Sequence, residues 1–327
     1  MKTKWIQLWL LAVVSIMLVA CNKEVEQATG SSEKITVNIA TIGTNTLSVA
    51  KEAGFLEEEF AKVNADFDYT VHPSGPPINE GIASKRVDLA VIGEGAILGG
   101  ANNGLDTKLI SVSSDGLHGI NNIIAHKDSG ITNLKGLKGK QVAVGFGTSH
   151  HVFLLKVLDE VGLSADDLTL VNLASTDAHS AFQSGKLDAW VTADFFVGLE
   201  KANGAKLLVT AKDYNIYSPT FYVARGEFAK QHPEIVEAYL KALNRAIELE
   251  NTDYDEYITL AAKSANQEVE AVKALDTIEN KNEAPSEKLI EQFQQSAGIL
   301  TELGFIENEV DVASLVDESF IQKVNKP

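Results

Sequence analysis

The sequence predicts an α/β protein with two lobes, each built on a mostly parallel β-sheet. Short apolar segments alternate with amphipathic segments of helical period from Lys34 to Ala211, which is typical of parallel sheets covered by helices on both faces. Two similar stretches, "NEGIASKRVDLAVIGEG" and "HSAFQSGKLDAWVTADF", indicate that one α/β half follows another. Extended segments at 120–127 and 218–225 predict two crossings between the halves. We therefore expect a clamshell with a hinge of two crossovers.

The first half is expected to begin at Lys34. Pro76 and Pro77 suit the first turn of a helix, and Gly54 interrupts an earlier helical segment. The predicted strands are 34–40, 67–72, 87–92 and 107–113, and the predicted helical segments are 46–63, 76–85 and 95–103.

The second half repeats this order and leads into a helical tail. We expect the tail, whose strongest amphipathic stretch is 233–250, to fold back on the first half. The predicted strands lie within 137–145, 168–173, 187–193 and 205–211, and the helices at 148–161, at 176–186 and from Asp194. The predicted lobes comprise residues 34–122 with 222–327, and residues 123–221.

The N-terminal 20 residues predict a secretory signal peptide. Lys2 and Lys4 precede an apolar run that ends at Ala20, and this run is shorter than the roughly 20 residues of a spanning helix. The ending "LVAC" resembles the bacterial lipobox, which implies that Cys21 carries acyl chains such as palmitate and anchors the protein to the outer face of the cell membrane. Residues 21–33 are polar and suit a flexible tether. The alternative is an uncleaved membrane anchor with an incidental thiol.

The composition indicates a globular protein with an acidic balance. Apolar residues make up 45% and charged residues 22%, which is ordinary for a chain that buries a core. The formal charge of -17 argues against nucleic acid or anionic lipid as the main partner, because both need a basic surface. A small anion can still bind, since surface charges are screened beyond about 8–10 Å. Cys21 is the single cysteine, so the chain has no internal disulfide.

Four strand exits place hydrogen-bond donors at the start of a helix. Ligands of open α/β sheets sit beyond the carboxyl ends of strands, and helix N-termini expose N–H groups and the positive end of a dipole. The exits therefore predict a site for a compact oxyanion. At each exit the alternative is that the hydroxyl merely caps its own helix. The exits carry Thr44 and Asn45, Ser74 and Gly75, Glu94 between two glycines, and Thr148 and Ser149.

Nucleotide binding is excluded at the exit that carries Thr148 and Ser149. The segment "GFGTSH" lacks the final glycine of a dinucleotide fingerprint and the lysine of a phosphate-binding loop.

Two segments, "SGPPINEGIASKRVDLAVIGEG" (74–95) and "LKGKQVAVGFGTSHHVFLLKVLDEVGLSADDLTLVNLASTDAHSAFQSGKLDAWVTADFF" (137–196), resemble extracytoplasmic solute-binding proteins of ABC importers. The similar branch binds aliphatic sulfonates and taurine, with nitrate binders and thiamine-pyrimidine binders as relatives. The resemblance covers most of residues 35–250 and implies the type II periplasmic-binding fold, with the ligand between two lobes. Phe195 departs from the proline that the family often has there. The contacts implied by motif position are Ser74, Gly75, Pro76, Gly93, Glu94, Thr148, Ser149, His150 and Asp194.

Side chains near the exits indicate what else the ligand carries. Phe146 and Phe195 are candidate apolar walls, whereas Phe153 and Trp190 are expected in the core. A zwitterionic ligand could place its ammonium group against Glu94 or Asp194. The alternative is that both carboxylates pair with N–H groups or with Lys85 or Arg86.

Enzyme and metal sites are disfavoured. Ser149 and His150 are neighbours on one helix and do not face each other, and no Gly-x-Ser-x-Gly elbow occurs. The histidines show no metal-ligand spacing, and no cofactor is predicted. The expected function is capture of a small organic oxyanion, foremost an alkanesulfonate, by a monomer that delivers it to a permease and its ATPase. Nitrate, a thiamine-precursor pyrimidine, or a sensory role remain the alternatives.

Overall fold

Two five-stranded β-sheets form the framework of the protein. The computed structural model describes residues 34–116, 121–273 and 279–326. The predicted signal peptide, the tether and Cys21 lie outside these residues, as do the side chains of Asp194 and Phe195.

The described residues form ten strands and thirteen α-helices. The strands are β1 (Ile35–Ile42), β2 (Ala65–His72), β3 (Leu89–Gly93), β4 (Thr107–Ser114), β5 (Asn122–Ala125), β6 (Gln141–Val144), β7 (Thr169–Asn172), β8 (Ala189–Thr192), β9 (Lys206–Thr210) and β10 (Thr220–Arg225). The helices are α1 (Thr46–Glu52), α2 (Phe55–Ala61), α3 (Gly75–Ala83), α4 (Glu94–Asn102), α5 (Ser149–Glu160), α6 (Ser175–Gln183), α7 (Asp194–Ala202), α8 (Gly226–Gln231), α9 (Pro233–Thr252), α10 (Tyr254–Ala265), α11 (Val269–Lys273), α12 (Glu287–Glu302) and α13 (Ser319–Val324).

The predicted crossings are strands of the sheets. The first sheet has the order β2-β1-β3-β10-β4 and the second the order β7-β6-β8-β5-β9. β10 runs antiparallel to β3 and β4, and β5 runs antiparallel to β8 and β9. Each sheet is thus parallel apart from the pairings of its crossing strand. The crossing strands begin at Asn122 and Thr220. The predicted division of the chain into lobes, 34–122 with 222–327 and 123–221, stays a prediction.

Alternating side chains bury both faces of each sheet. On β3, Leu89 and Val91 pack on one face, and Ala90 and Ile92 pack on the other. This two-sided burial explains the nearly continuous apolar strands in the sequence. Gly54 separates α1 from α2 with a φ of 77°, as its predicted interruption requires.

The helical tail packs on the first sheet, as predicted. The long helix α9 contacts α1 and α2 and buries Ile235, Tyr239 and Leu243 against that face. Helix α12 covers the opposite face and also contacts α5. In the described ranges no helix is both long and apolar enough to cross a membrane.

Candidate functional site

A cleft of about 1010 Å³ lies at the carboxyl ends of strands from both sheets. Its walls include the residues that end or follow β1, β3, β6 and β8, namely Gly43, Gly93, Gly145 and Ala193. This is where open α/β sheets hold ligands. The volume is at the upper end of the usual range for small-molecule sites.

Helices from both sheets begin at this cleft. At α1, Asn45 Oδ1 accepts a hydrogen bond from Leu47 N at 3.0 Å. The N–H group of Leu47 is therefore already bonded and is not available to a ligand. The starts of α3 to α7 have no side-chain cap, which leaves first-turn N–H groups for an anion. Glu94 N is an exception, because it donates to Pro219 O at 3.0 Å. The N-cap residues that line the cleft are Asn45, Ser74, Gly93, Thr148, Ala174 and Ala193.

The start of α3 offers few donors. Pro76 and Pro77 have no N–H, so Gly75 is the donor of the first turn there. A Cβ on Gly75 would lie 2.3 Å from Ala96 Cβ. Glycine is therefore required at this position for α3 to pack closely on α4.

The loop before α5 is held by its own hydrogen bonds. Asn172 Oδ1 accepts from Phe146 N at 3.0 Å, and the Thr148 hydroxyl donates to Gly145 O at 2.6 Å. The Thr148 hydroxyl thus donates within the turn, and its oxygen accepts no capping hydrogen bond from α5. The groups that can donate to a ligand here are the backbone N–H groups at the start of α5 and the Ser149 hydroxyl.

The polar lining is electrically neutral. Among the described residues that line the cleft there is no Asp, Glu, Lys or Arg. The His150 ring bonds to Asn121 Oδ1, and burial lowers the pKa of His150 to about 4, so it is uncharged at neutral pH. The hydroxyl and amide side chains are Thr44, Asn45, Ser74, Ser113, Ser114, Thr148, Ser149, Asn172, Ser175, Thr220, Tyr257, Ser264, Gln267 and Asn280.

Glu94 points away from the cleft. Its buried carboxylate accepts from Ser296 Oγ at 2.8 Å and lies 3.5 Å from Lys156 Nζ. Desolvation raises the pKa of Glu94. Its basic partner is Lys156 of α5, and Lys85 pairs instead with Glu227.

Ten of the predicted contacts line the cleft. Glu94 does not, and Cys21 and the side chains of Asp194 and Phe195 lie outside the described residues. Trp190 is 2% exposed and belongs to the core, yet one part of it also borders the cleft. The ten are Thr44, Asn45, Ser74, Gly75, Pro76, Gly93, Phe146, Thr148, Ser149 and His150.

Two groups of lining residues were missed by the sequence reasoning. Asn172 and Ser175 stand at the exit of β7, where the strand-to-helix rule would have found them. Tyr257, Ile258 and Ala261 of α10 also form a wall. No local signal marks these three, because only the packing of the tail brings α10 to the cleft.

Comparison with known proteins identifies the relatives of the chain. The NMT1/THI5-like family model matches residues 44–253. A Bacillus subtilis protein named for binding aliphatic sulfonates is 34% identical over 279 residues, which is 85% of this chain and 84% of that protein.

Solved structures share the fold. The alkanesulfonate-binding protein SsuA of Xanthomonas axonopodis pv. citri, bound to MOPS, has a TM-score of 0.78 at 24% identity, covering 88% of this chain and 99% of that one. The Candida albicans CA3427 product, described as having the generic periplasmic binding protein fold, has a TM-score of 0.69 at 16% identity, covering 86% and 96%. The predicted periplasmic-binding fold is confirmed, and the chain belongs to the NMT1/THI5-like family.

Proposed function

We propose that this protein is the substrate-binding component of an ABC importer and captures an organic sulfonate in its cleft. One observation carries the proposal: uncapped helix starts from both sheets meet at a cleft lined by neutral hydrogen-bonding groups. Such groups bind an anion without a countercharge. The names of the Bacillus and Xanthomonas proteins support a sulfonate.

The available donors are sufficient for tight binding. A hydrogen bond to a charged group contributes about 1.5–3 kcal/mol, and a helix start adds about 0.3–1 kcal/mol. Four or five such contacts, less the cost of ordering the partners, reach the roughly 8 kcal/mol of a micromolar complex. We propose the ten lining residues as contacts, and Asp194 and Phe195 stay predicted contacts.

The size and walls of the cleft favour an organic anion over nitrate. Phe146 and Trp190 border the cleft together with Leu173 and Val191, and nitrate has no apolar part to place against them. A pyrimidine would need a ring-stacking partner and a carboxylate, but Glu94 is paired with Lys156 outside the cleft lining.

An ammonium group on the ligand would add little binding free energy in this arrangement. With Glu94 turned away, the described lining presents no carboxylate. Taurine and ethanesulfonate should therefore bind with similar affinity. A tenfold preference for taurine in calorimetry would instead assign a carboxylate such as Asp194 to the ammonium group.

A thermal-shift panel tests the proposed ligand class. Ethanesulfonate, taurine, nitrate, bicarbonate and a thiamine-precursor pyrimidine are compared on the purified protein. A ligand at 100 times its Kd adds about 2.7 kcal/mol of stability. Stabilisation by nitrate or by the pyrimidine, with none by sulfonates, would contradict the proposal and favour the corresponding alternative.

The protein acts as a carrier in this proposal and does not catalyse a reaction. Ser149 and His150 are adjacent on α5, and His150 bonds to Asn121. Ethanesulfonate should be recovered unchanged after incubation, and release of sulfite would contradict the proposal. A permease and its ATPase receive the ligand, and a neighbouring gene for a sensor kinase in their place would favour the sensory alternative.

Anchoring by acyl chains at Cys21 and a monomeric state are further parts of the proposal. Labelled palmitate should be incorporated by the wild-type protein and not by the C21S variant. Light scattering should give the mass of one chain.

Ligand-driven closure of the two lobes over the anion follows the general behaviour of hinged proteins.

A further inference from the structure

We propose that the buried pair of Glu94 and Lys156 couples anion binding in the cleft to the uptake of one proton by the Glu94 carboxylate; this rests on the proposed function. Glu94 is the first residue of α4, and its neighbour Gly93 lines the cleft. The Glu94 side chain is 0% exposed and does not line the cleft. Its charge therefore acts on an anion in the cleft with little screening by solvent.

The two oxygens of the Glu94 carboxylate have unequal surroundings. Oε2 accepts from Ser296 Oγ at 2.8 Å and lies 3.5 Å from Lys156 Nζ. Oε1 is buried and has no hydrogen-bond partner among the described residues. A buried charge with an unpartnered oxygen favours the protonated acid, whereas the Lys156 cation favours the ionised carboxylate. Two opposing influences therefore act on the protonation of Glu94.

A hydrogen-bond acceptor is available to the protonated form. Ser218 Oγ is also buried and unpartnered in the described part of the chain, and it lies close enough to Glu94 to lower its pKa. A hydroxyl both donates and accepts, so it can donate to the ionised carboxylate or accept from a proton on Oε1. The groups that face Glu94 are thus Lys156 from α5, Ser296 from α12 and Ser218 from the segment before β10, and Lys156 is the charged one.

The sign of the coupling follows from the net charge of the pair. The pair is neutral while Glu94 is ionised and carries the positive charge of Lys156 once Glu94 is protonated. A unit charge at about 10 Å changes the affinity for an anion roughly tenfold at an effective dielectric constant of about 20. The anion should therefore bind more tightly to the protonated form. By reciprocity, binding of the anion favours transfer of a proton from the solvent to Glu94.

Calorimetry with ethanesulfonate from about pH 5.5 to about pH 9 tests the coupling on the wild-type protein. The sulfonate stays ionised throughout, and the neighbouring His150 and His151 stay neutral because burial lowers their pKa to about 4. Desolvation raises the pKa of Glu94 above its ordinary value of 4.5. The affinity should fall about tenfold as the pH rises through the Glu94 pKa. Buffers of different ionisation enthalpy should reveal proton uptake on binding in the same interval.

A matched pair of variants assigns the proton to Glu94. E94Q replaces the buried carboxylate by a neutral amide of similar shape. E80Q removes an exposed carboxylate from α3, whose start also faces the cleft. At about pH 8 we expect E94Q to bind ethanesulfonate about tenfold more tightly than the wild type, without the pH dependence and without proton uptake. E80Q should behave like the wild type, because water screens an exposed charge. Thermal unfolding of both variants shows that they are folded.

The outcomes separate this inference from the proposed function. If the wild type binds ethanesulfonate with one affinity at every pH and takes up no proton, the coupling is refuted and sulfonate binding stands. If E94Q keeps the pH dependence of the wild type, another group takes up the proton and the inference is likewise refuted. If E94Q does not fold, infrared difference spectra of the wild type decide, since binding must produce the C=O band of a protonated carboxylic acid. If ethanesulfonate binds at no pH, the proposed function fails and the coupling fails with it.

Discussion

Gly95 lies where the first turn of α4 meets the backbone before α5. A Cβ on Gly95 would lie 2.6 Å from the carbonyl carbon and oxygen of Thr148 and 3.1 Å from Gly147 O. Ordinary contacts begin near 3.4 Å, so the G95A variant must move one helix start relative to the other. Both starts face the cleft, and the displacement should therefore affect stability and ligand binding together.

The expected change in the stability of G95A follows from two opposing free-energy terms. Forcing a methyl group into packed surroundings costs about 1–3 kcal/mol, whereas replacing glycine by alanine in a helix contributes up to about 1 kcal/mol. Gly99 of the same helix supplies the control, because a Cβ there meets nothing within 4 Å. The helix term largely cancels between the two variants, so G95A should be about 1–3 kcal/mol less stable than G99A.

Urea denaturation and calorimetry with ethanesulfonate provide the two measurements. A displaced helix start loses a hydrogen bond of about 1.5 kcal/mol or more to the anion, so G95A should bind at least about tenfold more weakly. G99A should bind like the wild type. Equal stability and equal affinity of the two variants would refute the close approach of α4 and α5.

Further predictions concern single side chains. S149A should lower ethanesulfonate affinity about 10- to 100-fold through loss of one charged hydrogen bond, whereas S180A, which removes an exposed hydroxyl bonded within α6, should leave it unchanged in calorimetry. K156M should destabilise the protein by about 3–5 kcal/mol near neutral pH, because it leaves the Glu94 carboxylate buried without its cation. The raised pKa of Glu94 favours its neutral form, so chemical denaturation should show a smaller loss of stability at mildly acidic pH. A loss of stability that does not change with pH would contradict this. Burial lowers the pKa of His150 from 6.5 to about 4, so unfolding curves should show stability falling as pH drops through that interval, with a shallower fall in H150Q.

The local order of elements could be predicted because it depends on short-range patterns. Apolar strands, amphipathic helices, Gly54 between α1 and α2, and the prolines at the start of α3 are all properties of neighbouring residues. The strand exits could be predicted for the same reason, since parallel strands that feed helices direct these turns to one edge of the sheet.

Side-chain direction and long-range contacts could not be predicted in this way. Glu94 stands at a predicted exit, but its carboxylate turns inward to Ser296, which is 202 positions further along the chain. The crossing segments are antiparallel strands, each the fourth of the five strands in its sheet. Tyr257 lines the cleft from a helix that is distant in sequence.

The sequence by itself therefore determined the α/β class, the doubled architecture and the turns that line the cleft, because each depends on residues close together in the chain. The tertiary structure alone decided which side chains face the cleft and which fill the core. That choice depends on which helix packs over each turn, and the packing joins residues that are far apart in sequence.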